Sequence, residues 1–236
     1  MKKFALGFFF MFFLAFSSQA QILIAALFGD KLNSGNIEFG LNGGFNRSTF
    51  LGREDASGLN NFTLGFFFHF KMTENNKGFL STGVHVKSNV GAGGMPTYRI
   101  GDPEFDEVYA DGELSTKLNV FYVPILWQQR LGKIYVEGGI QPGLRYKGFD
   151  YFNVEEYGGE LEYKKDVRDD YSRLDFGLVG GLGYRMNPGP VSTSFGLNYY
   201  YGVVDVYKAE TYNLKNSSLY VYVRIPIGAG AEKKEN

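Results

Sequence analysis

Along most of this 236-residue chain apolar and polar side chains alternate with a period of two, and helical periodicity is nearly absent. In 172–186, Leu174, Phe176, Leu178, Leu182, Tyr184 and Met186 share one face with Gly180, while Arg173, Asp175, Gly177, Gly181, Gly183 and Arg185 share the other with Val179. The same division runs through 133–146, where Ile134, Val136, Ile140, Leu144 and Tyr146 oppose Lys133, Tyr135, Glu137, Gln141 and Arg145. It recurs with Phe62, Leu64, Phe66, Phe68 and Phe70 in 62–71, and with Leu219, Val221, Val223, Ile225 and Ile227 in 218–227. Segments 36–46, 79–89, 115–128 and 191–204 bring the number of predicted strands to eight. In 115–128 the register stays open, because Phe121-Tyr122-Val123 is apolar on both faces and Pro124 suits a bulge.

Strands of this kind bury one face against a shared core or turn it to lipid. Two observations favour lipid. The apolar faces are bulky while the opposite faces are rich in Gly, Ser and scattered charge, which fits the cramped interior of an eight-stranded barrel and not the outside of a soluble sandwich or lipocalin-like barrel. The connections also alternate in length: 73–77, 130–132 and 187–189 are short, whereas 46–60, 90–114, 147–170 and 205–215 are long, as in barrels with short periplasmic turns and long extracellular loops. The fold expected is therefore all-β, an eight-stranded antiparallel up-and-down transmembrane barrel over 35–228. Its 32 Gly and 17% aromatic content suit tight strand packing and interfacial girdles. A mean hydropathy of −0.19 is no objection, since one-sided strands average out.

The first 20 residues read as an export signal: Lys2 and Lys3, an apolar run from Phe4 to Phe16, then Ser18 and Ala20 before a cleavage point at Gln21. The run is shorter than the ~20 residues a spanning helix needs. Its removal moves the formal charge from −1 to −3, which gives no reason to invoke nucleic acid. An apolar segment within 21–34 is expected to lie at the periplasmic interface or the barrel mouth, and 229–236 forms a polar tail.

The inward faces are expected to carry a lumen network of Glu38, His69, His85, Lys87, Glu137, Arg145, Arg173, Asp175, Arg185 and Arg224. Buried charges must pair, so the network reads as a plug and disfavours a porin. The long connections are acidic: Asp102, Glu104, Asp106 and Glu107 in one, Glu155, Glu156, Glu160 and Glu162 in another. Their spacing matches no calcium loop and reads first as solvated surface; the alternative is divalent-cation bridging to lipopolysaccharide or a protein partner. Interleaved aromatics such as Phe105, Tyr109, Tyr151 and Tyr163 suit either strand ends above the membrane or a surface for a protein or glycan.

Catalysis is confined by the residue count. There is no Cys and there are two His, so a nucleophilic site would need His69 or His85, with Ser81 on the inner face beside His85. No spacing supports such a site, and no catalytic residue, metal or cofactor is expected. The glycines of 91–94 follow a strand without a helix behind them, so they do not read as a phosphate loop.

Several stretches together resemble the PorT-like outer-membrane β-barrel family. They are Ile37-Glu38-Phe39-Gly40-Leu41-Asn42-Gly43-Gly44-Phe45-Asn46, Val123-Pro124-Ile125-Leu126 followed by Val136-Glu137-Gly138-Gly139, and the run from Asp175 to Tyr184 leading into Tyr199-Tyr200-Tyr201-Gly202. The resemblance spans nearly the whole mature chain. It implies an eight-stranded outer-membrane barrel in a family whose members mostly lack an assigned activity, some being associated with protein secretion. One departure is the end of the chain, where Ile227 is followed by a polar stretch in place of the terminal aromatic of many outer-membrane barrels. The function expected is a non-enzymatic envelope-structural or interaction component, with lipid, lipopolysaccharide and a secretion or envelope protein as partners. The alternative is a ligand- or lipid-handling barrel, including a lipid hydrolase.

Overall fold

The computed structural model describes residues 36–156, 158–187, 192–209 and 213–227, without the side chain of Glu156. The export signal, the 21–34 segment and the 229–236 tail lie outside them. The described chain forms β1 (Ile37–Leu51), β2 (Ser57–Lys71), β3 (Gly78–Pro96), a short helix α1 (Pro103–Val108), β4 (Glu113–Tyr122), β5 (Ile125–Leu131), β6 (Ile134–Glu156), β7 (Gly159–Asp166), β8 (Leu174–Arg185), β9 (Ser194–Gly202) and β10 (Lys215–Pro226).

Ten strands make eight barrel staves. β4 and β5 both pair with β3 on one side and β6 on the other, so they are one stave interrupted at Val123-Pro124. Pro124 has no N–H to give to the ladder, and the break falls on it. β7 pairs only with β6 and forms a hairpin beyond the ring. Each other stave pairs antiparallel with its sequence neighbour, and β1 meets β10 over a continuous register from Gly40 opposite Pro226 to Leu51 opposite Lys215. That last pairing closes the sheet and removes its edges.

The side chains point as an inverted core requires. Leu178, Leu182, Val136, Leu197, Val221 and Ile225 are exposed on the outer surface, while Glu137 is 5% and Arg224 3% exposed. Bulky apolar groups thus cover the outside of the ring at the short-turn half, where acyl chains replace water.

Several expectations need correction. The ends of the segments taken as loops are strand: β1 runs to Leu51, β3 to Pro96 and β6 to Glu156, and β7 lies wholly inside 147–170. Above the apolar belt the alternation continues with its polarity reversed, so that Phe50, Val90, Ala92, Leu114, Leu118, Phe152, Val206 and Leu214 face inward into an ordinary apolar core. The acidic 99–113 stretch contains α1, capped by the Asp102 side chain accepting from Glu104 N–H and starting with Pro103.

Two residues assigned to the lumen lie outside it. Between Leu64 opposite Lys87 and Gly65 opposite His85 the β2–β3 register slips by one residue. This bulge leaves Val86 and Lys87 both exposed, and the Lys87 ammonium sits 5.9 Å from the Phe62 ring centroid on the outer surface. Arg173 precedes β8 and is exposed at the rim of the long-connection end.

Candidate functional site

The lumen is occupied by three layers of polar contacts. Nearest the short turns, Glu38 accepts a two-pronged Arg130 fork at 2.8 and 2.6 Å and a hydrogen bond from His69 Nδ1 at 2.9 Å. Arg185 approaches the same carboxylate at 4.0 Å, and the Arg130 guanidinium lies 3.5 Å above the Phe79 ring. One layer further, Glu137 accepts two bonds from Arg224 at 2.9 Å each, and others from Tyr222 at 2.8 Å, Asn198 at 2.7 Å and Gln128 at 3.1 Å. Gln128 joins the layers, because its oxygen accepts from Arg130 Nε at 2.8 Å. In the third layer Asp175 accepts from Tyr122, from Tyr200 at 2.7 Å and from Asn216 at 2.7 Å.

Between the second and third layers Asn42 Nδ2 donates to His85 Nε2 at 3.0 Å. Asn42 Oδ1, Thr63 Oγ1, His85 Nδ1 and Asn198 Oδ1 are buried there without a protein partner. They surround a cavity of about 20 Å³, room for a single water shared among them.

Of the expected network, Glu38, His69, His85, Glu137, Asp175, Arg185 and Arg224 are buried in the lumen. Arg145 is also buried but serves the rim: its guanidinium donates to the carbonyls of Ser172, Arg168 and Tyr171 at 2.8, 2.7 and 2.8 Å. Arg130 belongs to the same network but falls within 130–132, which the sequence presents as a short turn. Extending the alternation two residues past Gln128 would have found it. The inward tyrosines carry no formal charge and so do not stand out in the sequence, yet Tyr122, Tyr200 and Tyr222 supply donors to both central carboxylates.

A triad-like arrangement receives partial geometric support. Glu38 stands opposite His69, and His69 opposite Ser81, across β1, β2 and β3, while His85 shares the strand and the inner face of Ser81. Yet no hydrogen bond joins Ser81 to His69, and the Glu38 carboxylate is held by Arg130. Among the described residues no group of three or more His, Asp or Glu is placed to hold a metal ion.

The accessible chemistry lies at the long-connection end. There a cleft of about 410 Å³ opens inside the mouth, with Arg53, Lys165 and Asp170 around it and Tyr98, Tyr171 and Tyr207 in its walls. At its base Asp150 accepts from Thr116 at 2.6 Å and from Tyr98 at 2.9 Å. Burial raises the Asp150 carboxyl above its ordinary range despite those two bonds, and it raises the Tyr98 and Tyr171 phenols as well. The Lys165 ammonium lies 4.8 Å from the Tyr98 ring. α1 leans over the β6–β7 hairpin through Phe105 and Tyr109, whose rings lie 5.2 and 6.1 Å from Tyr163.

The acidic residues singled out on the long connections, Asp102, Glu104, Asp106, Glu107, Glu155, Glu160 and Glu162, do not line this cleft. Asp102 and Asp106 are engaged locally, Asp106 accepting from the Ile100 and Gly101 N–H groups. Glu104, Glu107, Glu155, Glu160 and Glu162 are exposed.

An antiparallel eight-stave ring with apolar residues outward and paired charges inward is an outer-membrane β-barrel. The model of the outer membrane protein beta-barrel domain family matches residues 18–208, and the chain belongs to that family. No curated protein matches the sequence. Solved structures with similarity include Ail, the attachment invasion locus protein of Yersinia pestis, in complex with the heparin analogue sucrose octasulfate, at 12% identity and TM-score 0.42, covering 80% of this chain and 97% of that one. Neisserial surface protein A matches at 12% identity and TM-score 0.38, over 81% of this chain and 97% of that one. OprG of Pseudomonas aeruginosa matches at 12% identity and TM-score 0.34, over 81% and 93%.

Proposed function

We propose that this outer-membrane barrel acts without catalysis, as an interaction component whose outer mouth and β6–β7 hairpin engage a partner. The observation that carries this reading is the contrast between the two ends of the interior: hydrogen-bonded polar layers, two of them ion-paired, fill the lumen, whereas the mouth holds an open cleft of about 410 Å³ walled by tyrosines and charged side chains. Tyrosines beside fixed polar groups suit a protein loop or a glycan, offering large contact area with few side-chain rotors to order. The resemblance to PorT-like barrels supports the narrower reading that the partner belongs to a secretion or envelope assembly.

In a strain lacking the protein, a variant with residues 151–164 replaced by a short turn should fail to restore the lost phenotype, while S81A and H85Q should restore it. Rescue by the trimmed variant together with failure of S81A would reverse the assignment. The in-register Glu38, His69 and Ser81 are what favour the second reading, a lipid hydrolase, and labelling of Ser81 by a serine-directed fluorophosphonate would support it.

A further inference from the structure

β6 changes partners partway along its length. Its pairing with β8 ends where Leu144 stands opposite Leu174, and its pairing with β7 begins where Phe149 stands opposite Asp166. Across the gap the backbone of β6 meets the 167–173 connection: Arg145 N–H donates to Arg173 C=O at 2.8 Å, and Val167 N–H to Gly148 C=O at 3.0 Å. A cleft of about 540 Å³ lies at this switch. Its charged lining is Arg145, Arg168, Arg173 and Lys208 against one acid, Asp169.

Cations outnumber carboxylates there, four against Asp169 in the lining and Asp166 beside it. Arg145 is committed to three backbone carbonyls, and the Lys208 ammonium donates to the Asp169 carbonyl at 2.9 Å. Arg168 pairs with Asp166 at 2.8 Å, whereas Arg173 is exposed with no carboxylate in ion-pair range among the described residues. Directly below, Leu144 and Leu174 are 52% and 67% exposed and belong to the apolar belt, and Leu144 and Tyr146 also line the cleft.

We propose that this cleft seats the phosphorylated headgroup of an outer-leaflet glycolipid, with phosphate among Arg168, Arg173 and Lys208 and acyl chains descending over Leu144 and Leu174. The inference needs only the outer-membrane orientation with long connections outward and is independent of the partner assigned to the mouth. Charge complementarity selects an anion. The continuous passage from cations to lipid-facing leucines selects an amphiphile over a free ion, because a free phosphate gains nothing from the apolar floor.

The test uses the full chain in zwitterionic detergent micelles, with bisphosphorylated lipid A as probe and native mass spectrometry as readout. Loss of affinity of about tenfold or more is expected for R173E/K208E, with retention within about threefold for R173K/K208R and for K77E, a matched reversal at the opposite end. Dephosphorylated lipid A and inorganic phosphate should each bind at least about tenfold more weakly than the probe. Unchanged binding by R173E/K208E, an equal loss in K77E, or phosphate binding as tightly as lipid A would each overturn the assignment. If the double reversal does not fold, judged by heat-dependent gel mobility, R173Q alone is measured against the same outcomes.

Discussion

Glu137 shows what a single buried charge demands. Its carboxylate takes five hydrogen bonds from Arg224, Tyr222, Asn198 and Gln128 inside a lumen with little solvent. Changing Glu137→Leu strands the Arg224 guanidinium, and the expected cost is about 3–5 kcal/mol in denaturant unfolding from lipid vesicles. The double change Glu137→Leu with Arg224→Met should recover much of that loss, since it removes both charges together. A double variant no more stable than the single one would show that the pair is not the source. Asp150, in the part of β6 above the belt, supplies the pH dependence. Because burial raises its carboxyl, the folded chain holds this proton more tightly than the unfolded one. The stability it contributes is therefore greatest in acid and is lost as pH rises from the unfolded carboxylate value through the raised folded one. Denaturation midpoints measured between about pH 4 and 7 should fall for the parent relative to Asp150→Asn, in which that component is absent; the opposite slope would contradict the burial account.

At the scale of elements, closure depends on the β1–β10 seam. A Cβ placed on Gly44 would lie 2.1 Å from the Val221 carbonyl oxygen, too close for any other residue without parting the strands. Gly44→Val should therefore impair closure, seen as loss of the compact heat-sensitive band on a gel, whereas Gly180→Ala, which meets nothing within 4 Å, should not. Strand number and facing were readable in the chain because alternation is a property of neighbours: Leu174 to Arg185 announces its two faces without reference to anything else. Irregularities were not. The one-residue slip that turns Lys87 outward depends on how β3 meets β2. The reversal of polarity above the belt hid the outer strand ends, because their apolar side chains turn inward there.

For the whole molecule, the layered contacts around Glu38, Glu137 and Asp175 predict a barrel that does not conduct. Reconstituted in planar bilayers, the full chain should give no discrete single-channel steps at concentrations where a porin does; regular steps would refute the plug. The same organisation divides labour along the axis. The lipid half has apolar residues outside and ion pairs inside, whereas the outer half has an ordinary apolar core with aromatic and charged groups around its mouth.

The sequence by itself determined that this chain makes eight staves with greasy outer faces and charged inner ones, and that its long connections gather at one end. Alternation and connection length are local quantities, complete in a single strand or loop. Only the tertiary structure decided which charges meet: Arg130 with Glu38 across 92 residues, Arg224 with Glu137 across 87, and Arg173 outside the lumen altogether. Those pairings follow from the stagger between neighbouring strands, the break at Pro124 and the partner switch of β6. Each is fixed by how distant segments lie against one another, so no single stretch of residues records it.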